Sequence, residues 1–249
     1  MAMNRRLISW VVLVTLLAGG CASSGANMVG LDADQLFAYG MERLKAGKWR
    51  EAAEAFERFT FEHASHPRSQ EARFQLAEAH FSGEEYITAA TEYGRLATDH
   101  PAGPWADDSR FKVCESYYRL SPRVELDQEY TTAAIDHCQA LLSYHPDSPF
   151  VPRAEAMMVE LNDKLAEKLL LAGAYYQRRS AFDSAIKYYQ LASEQYPTTR
   201  FAPRALLRLF EVYQRLEYRE EAEATRTKLL TDYPSSPEAR ELGGTASRP

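Results

Sequence analysis

Aromatic residues, alanines and prolines recur at fixed spacings along this chain. Four alanines each have an aromatic residue three or four positions before them and a proline twelve positions after them. The alanine and proline pairs are Ala89 with Pro101, Ala134 with Pro146, Ala185 with Pro197, and Ala222 with Pro234. An earlier unit contains Trp49, Ala52, Phe56 and Pro67, with a spacing to its proline that is three residues longer. Because proline cannot continue a helix, the pattern predicts repeated helical units that each end near a proline.

The fourth unit carries the full pattern of one known repeat. Six of its residues fall at the spacings that define a tetratricopeptide repeat, namely Gly173, Tyr176, Ala185, Tyr189, Ala192 and Pro197. In such a repeat the small residues let two antiparallel helices approach, and the aromatic residues fill the space between them. Each helix pair buries its apolar face only against neighbouring pairs. The sequence therefore predicts an all-α tetratricopeptide-repeat solenoid of about five helix pairs.

The spacing of the units shows where the chain departs from a regular array. Successive alanines from Ala52 to Ala222 lie 37, 45, 51 and 37 residues apart, against a basic repeat of about 34 residues. The excess in the third unit predicts an insertion between its helices, at Arg119 to Glu129. The excess before the fourth unit predicts a long first helix, from about Pro152 to Arg179.

With these two insertions the chain resembles the BamD family. The segments Leu126 to Ile135 and Leu161 to Ala166 are similar to that family at the corresponding points, and the resemblance extends from Asp34 to about Ala239. It implies a lipid-anchored scaffold subunit of the β-barrel assembly machinery (the Bam complex). Its partners would be unfolded outer-membrane β-barrel precursors and a BamA-type barrel insertase. The resemblance also implies that the N-terminal repeats receive the precursors and that the C-terminal repeats dock the insertase.

The groove positions of tetratricopeptide repeats supply the candidate binding residues. In the first two units the candidates for a peptide groove are Phe37, Met41, Phe74, Glu78 and Phe81. The alternative for Phe37, Phe74 and Phe81 is packing against neighbouring units. In the last two units the candidates for partner docking are Gln177, Arg178, Arg204, Glu211 and Arg215. That end is more polar and cationic, which suits the charged face of a folded partner.

The N-terminal residues have the pattern of a lipoprotein signal peptide. Arg5 and Arg6 precede an apolar run, which is too short to span a bilayer, and Gly19 and Gly20 precede Cys21. Residues 1–20 are predicted to be the signal peptide and Cys21 the lipidated (palmitate-bearing) residue. An ordinary secretory signal is the alternative. Ala22 in place of an aspartate favours the periplasmic face of the outer membrane.

The rest of the chain is predicted to consist of four segments. We expect a flexible tether at 21–33, N-terminal repeats 1–3 at 34–146, C-terminal repeats 4–5 at 147–239, and a disordered tail at 240–249. The formal net charge of −6 argues against a nucleic-acid partner. Cys114 and Cys138 follow Cys21; whether they form a disulfide stays open.

The sequence contains no motif that indicates catalysis. It has no phosphate loop, dinucleotide fingerprint or nucleophile elbow, and its six histidines do not form a metal-ligand pattern. We therefore predict a protein that is not an enzyme and that uses no cofactor and no metal. The alternative function is that of another periplasmic tetratricopeptide lipoprotein, which would coordinate cell-wall synthesis or cell division. An enzyme that uses the repeats as a docking arm would need a catalytic domain, for which no residues remain.

Overall fold

The computed structural model describes residues 28–245, which form eleven α-helices and no strand. The helices are α1 (Ala33–Lys45), α2 (Trp49–Glu62), α3 (Ser69–Ser82), α4 (Tyr86–Asp99), α5 (Ala106–Leu120), α6 (Glu129–Tyr144), α7 (Val151–Arg178), α8 (Phe182–Gln195), α9 (Ala202–Arg215), α10 (Arg219–Asp232) and α11 (Pro237–Thr245). The first ten form the five predicted pairs, so the all-α helix-pair fold is confirmed.

Four of the five pairs are joined by the same tight turn. In each turn one residue has a positive φ, and the next N–H donates to a helix carbonyl five residues back at 2.9–3.0 Å. The residues with positive φ are Gly47, Glu84, Ser180 and Glu217. This Schellman geometry satisfies carbonyls that the helix end leaves without partners. The turn therefore returns the chain antiparallel within three residues.

The third pair is the exception, as the repeat spacing predicts. Residues 121–128 separate α5 from α6, and Cys114 on α5 forms a disulfide with Cys138 on α6, with 4.8 Å between their Cα atoms. Both cysteines are buried. The disulfide thus settles the pairing that the sequence left open, and it links the one pair that lacks the tight turn.

The chain divides into two compact units, the first ending at Glu92 and the second beginning at Tyr93. In the first unit, Met28, Leu36, Phe37, Phe56 and Phe59 belong to one buried cluster. Asp32 caps α1 by accepting a hydrogen bond from the Gln35 N–H at 2.9 Å. The expected tether at 21–33 is therefore wrong for its last residues, because burial of Met28 and the capped start of α1 fix them on the helices.

In the second unit the long helix joins the third pair to the following ones. Phe111, Leu141 and Ala154 belong to one buried cluster, so α7 packs against the third pair. For that reason the compact units do not divide between 146 and 147, where the predicted groups of repeats meet. The helix α7 has 28 residues, which corresponds to about 42 Å.

The expected disordered tail at 240–249 is wrong for residues 240–245. They continue α11, whose Ala239 and Leu242 are buried against the core formed by α9 and α10. The sequence alone gives little indication of this helix, because Leu242 is a single leucine in a polar segment. Its burial depends on the surface that α9 and α10 provide. Residues 246–249 lie outside the described part of the chain.

Candidate functional site

The N-terminal aromatic candidate Phe37 is a core residue. Its side chain is only 2% exposed, and its ring makes edge contacts with Phe56 at 5.4 Å and Phe59 at 5.7 Å between centroids. The guanidinium of Arg68 covers the ring at 3.5 Å from its centroid. The expectation that Phe37 lines an open groove is wrong, because the ring fills the space between α1 and α2.

Arg68 is itself held in place over that ring. Its Nε and Nη2 atoms donate to the two carboxylate oxygens of Glu71 at 2.8 and 3.2 Å. This hydrogen bonding raises the pKa of Arg68, so the guanidinium stays charged. The paired cation therefore covers one face of the Phe37 ring.

The other N-terminal candidates differ in exposure. Phe74 is 7% exposed, which also contradicts its assignment to an open groove, since its position on α3 faces inward. Met41, Glu78 and Phe81 are half-buried. The ring of Phe81 lies 5.2 Å from the ring of Tyr86. These three remain the partly accessible members of the predicted peptide groove.

The C-terminal candidates form a stripe on α9. Arg204, Arg208, Glu211 and Arg215 are spaced by four, three and four residues, so they lie on one face of the helix. Arg208 Nη1 donates to Glu211 Oε2 at 2.8 Å, and this bond raises the pKa of Arg208. Arg215 lies 4.9 Å from the ring centroid of Phe182. The three arginines of the stripe are exposed and Glu211 is half-buried.

Residues of α7 meet this stripe around the hydroxyl of Tyr189. That hydroxyl donates to Gln177 Oε1 at 2.6 Å. Burial raises the pKa of Tyr189, while the nearby charges of Arg208, Glu211 and Arg178 act on it as well. The structure therefore brings together four groups from α7 and α9, three of which belong to the predicted docking set.

Arg208 is a further candidate docking residue of this stripe, and the predicted set omits it. It lies four residues after Arg204 and three before Glu211, so helical spacing alone would have included it. Arg204 has a different role from the rest of the stripe. Its Nε donates to Glu238 Oε1 of α11 at 3.3 Å, and the Glu238 side chain is 9% exposed. Arg204 therefore helps to hold α11 in place.

The insertion of the third pair is fixed against α7. Lys164 Nζ donates to Ser121 Oγ at 2.6 Å, and Tyr118 donates to Glu160. Burial lowers the pKa of Lys164, and the bond to Glu160 raises that of Tyr118. A polar cavity of about 560 Å³ lies there, bordered also by Arg123 and Arg200. Two of its charged groups, Arg200 and Asp163, form an ion pair at 3.2 Å.

The described residues were compared with the requirements of a metal site and of a membrane-spanning helix, and they meet neither. Within 28–245, no cluster of three or more histidine, cysteine or acidic side chains could hold a metal ion. None of the helices in this range is long and apolar enough to span a bilayer. The predicted lipidation site, Cys21, lies outside the described residues.

The paired helices, their tight turns and the close contact of Gly173 with the ring of Tyr189 define a tetratricopeptide-repeat protein. The chain belongs to the YfiO family of outer membrane lipoproteins, whose family model matches residues 30–230. The predicted membership of the BamD-like family is thereby confirmed.

Several characterised proteins are similar to this chain. The outer membrane protein assembly factor BamD of Caulobacter vibrioides is 26% identical over 227 residues, which cover 90% of this chain and 74% of the relative. The BamD of Rickettsia prowazekii is 26% identical over 232 residues, covering 93% and 92%. Among solved structures, the TPR2AB domain of yeast Sti1 in its pHSP90 complex has a TM-score of 0.44 and 20% identity, covering 86% of this chain and 82% of that one. A similarity that low carries no argument about function.

Proposed function

We propose that this chain is an assembly factor for outer-membrane β-barrel proteins, anchored by lipid on Cys21 at the periplasmic face of the outer membrane. It recruits unfolded barrel precursors and holds them beside a BamA-type barrel insertase. One observation carries the proposal: the family model spans 201 residues (30–230), and both relatives aligned over at least 90% of the chain are named outer membrane protein assembly factors. The role requires binding and positioning, without a covalent step.

The insertase docks on the surface defined by Gln177, Arg178, Arg204, Arg208, Glu211 and Arg215, here called the α9 surface. The chain as a whole carries a formal charge of −6, whereas this surface has four arginines, of which Arg204 is paired with Glu238, and one glutamate. Exposed guanidinium groups favour encounter with an acidic partner face and fix its orientation more than they add affinity. A folded periplasmic domain with exposed carboxylates is the partner that fits this charge.

Precursors bind near the partly exposed N-terminal candidates Met41, Glu78 and Phe81. Phe37 and Phe74 are excluded because their burial leaves little surface for a ligand. A groove that offers the ring of Phe81 and the thioether of Met41 gives a precursor only modest apolar contact. Such a contact suits transfer of the precursor to the insertase rather than a permanent complex. An affinity in the micromolar range, about −8 kcal/mol, would allow release to the insertase.

The docking proposal is tested with purified full-length protein and the periplasmic domains of the insertase from the same organism. The variant Arg178→Glu/Arg208→Glu should slow association about tenfold at low salt, since rim charges act mainly on the association rate. Lys187→Glu/Lys228→Glu, which reverses two charges at exposed positions on α8 and α10 of the same unit, is the matched control and should bind like wild type. Equal binding by all three proteins would remove the α9 surface from the interface.

A further inference from the structure

Two large apolar side chains are exposed where the N-terminal segment enters the first unit. Phe61 on α2 is 87% exposed and Val29 is 76% exposed, and they are the most exposed large apolar side chains in the described part of the chain. Neither belongs to the buried cluster of this unit. Removing apolar side chains of this size from water is favourable, so a lipid surface that covers these two groups would be stabilised by the contact.

The two side chains flank one fixed point of the backbone. Met28 is buried in the cluster of the first unit, and its carbonyl accepts a hydrogen bond from Arg58 Nη1 at 3.0 Å. Val29 follows Met28 directly, and Phe61 lies three residues after Arg58, about 4.5 Å further along the helix axis. The exposed pair is therefore tied to the position at which the chain reaches the body.

The length of chain before Met28 limits how far this point can be from Cys21. The separation is 28 − 21 = 7 residues, and a fully extended chain of that length spans at most about 25 Å. Helix α2, with 14 residues, is about 21 Å long. If Cys21 is held in a bilayer, the face that carries Met28 stays within roughly one helix length of the membrane surface.

We propose that Val29 and Phe61 insert into the lipid surface to which Cys21 is anchored, and so orient the first helix pair on the membrane. This inference rests on the lipid anchor of the proposed function. Glu57, Glu62 and Asp32 are exposed beside the two residues, so anionic headgroups do not attract this face. The contact is apolar, and the anchor makes it intramolecular, so a weak interaction is sufficient.

The test uses two single-tryptophan additions in the lipidated protein bound to vesicles of phosphatidylcholine with brominated acyl chains. Phe61→Trp should show emission that is strongly quenched and shifted to shorter wavelength, relative to the native tryptophan background measured in the unsubstituted protein. Ile87→Trp, at another exposed apolar position of the same unit, should not differ from that background. The Cys21→Ser protein with Phe61→Trp supplies the unquenched reference in solution.

Loss of the membrane contact and loss of the lipid anchor give different results in this test. If the protein carries lipid by intact mass and floats with the vesicles, but Phe61→Trp is quenched no more than Ile87→Trp, the membrane contact is overturned and the anchor stands. If intact mass shows no lipid on Cys21, the anchor falls and this inference falls with it. Quenching confined to Phe61→Trp in the lipidated protein supports the proposal.

Discussion

Gly173 on α7 faces the ring of Tyr189 on α8 so closely that a Cβ added at Gly173 would lie 2.5 Å from Tyr189 Cε1. The first pair repeats this relationship, since a Cβ at Gly40 would lie 2.8 Å from the Phe56 ring. Both rings are fully buried. The close approach of two helices at a glycine thus sets the geometry of these pairs, and in the fourth pair it also positions the Tyr189 hydroxyl under the α9 surface.

The glycine contact gives the first prediction. Gly173→Ala should overpack the helix interface and lower the unfolding free energy by about 1–3 kcal/mol. Gly94→Ala on α4 is the matched control, because its Cβ would meet only Val113 Cγ2 at an ordinary 3.9 Å. That change should raise stability by roughly 0.5–1 kcal/mol, since alanine favours a helix interior. Denaturant unfolding of both variants measures the difference, and equal effects would contradict the packing.

The second prediction separates core from groove among the N-terminal aromatic residues. Phe74→Ser should destabilise the protein by about 3–5 kcal/mol because it removes a buried ring. Phe81→Ser, at a half-buried position, should cost less and leave a folded protein. Thermal unfolding followed by circular dichroism compares the two.

The folded Phe81→Ser protein also tests precursor binding. A titration with a peptide from the C-terminus of a barrel precursor should show weaker binding than wild type. Unchanged affinity in the folded variant would remove Phe81 from the site and leave Met41 and Glu78 as the candidates.

The disulfide gives the third prediction. Closing the chain between Cys114 and Cys138, 24 residues apart, restricts the unfolded state and should stabilise the fold by about 3 kcal/mol. A reductant should therefore lower the denaturant midpoint of wild type. The variant Cys114→Ala/Cys138→Ala should start at the lower midpoint and not respond to the reductant. A midpoint in wild type that is insensitive to full reduction would be inconsistent with this role.

His137 gives a pH prediction. Burial lowers its pKa below the ordinary 6.5, and its ring stacks on Tyr117 at 4.6 Å. Between the folded-state pKa and 6.5 the unfolded chain binds a proton that the folded chain does not, so stability should fall as pH falls through this window. His137→Phe keeps a stacked ring and should show a smaller loss between pH 7 and 5. An identical loss in both proteins would exclude His137 as the cause.

The sequence predicted the helix pairs well but not the direction of their faces. Spacing placed α7 at about Pro152 to Arg179, and the structure has it at Val151–Arg178, because proline positions and repeat length are local signals. The repeat spacing predicts a groove position for Phe37, because periodicity identifies an apolar face of a helix but does not show which residues cover that face. The cover is Arg68, which comes from the start of α3.

Part of the α9 surface can be recognised from the sequence. The i, i+4 and i+7 spacing on α9 is visible in the sequence, and it would have included Arg208. The meeting of Gln177 and Arg178 with that stripe depends on the packing of α7 and α9 around Tyr189, which no spacing rule supplies. The pairing of Cys114 with Cys138 could not be predicted from the sequence, because the insertion between α5 and α6 leaves the register of α5 uncertain.

If this chain acts in the assembly of outer-membrane β-barrel proteins, its depletion from its own cells should reduce that assembly. The measurement is the amount of folded barrel protein in the outer membrane, determined by heat-modifiable gel mobility. We expect the amount of folded barrel protein to fall and unfolded precursors to accumulate on depletion. Wild type should restore the folded barrels, and Arg178→Glu/Arg208→Glu should restore few of them. Unchanged amounts of folded barrels in fully depleted cells would show that this chain has no role in barrel assembly.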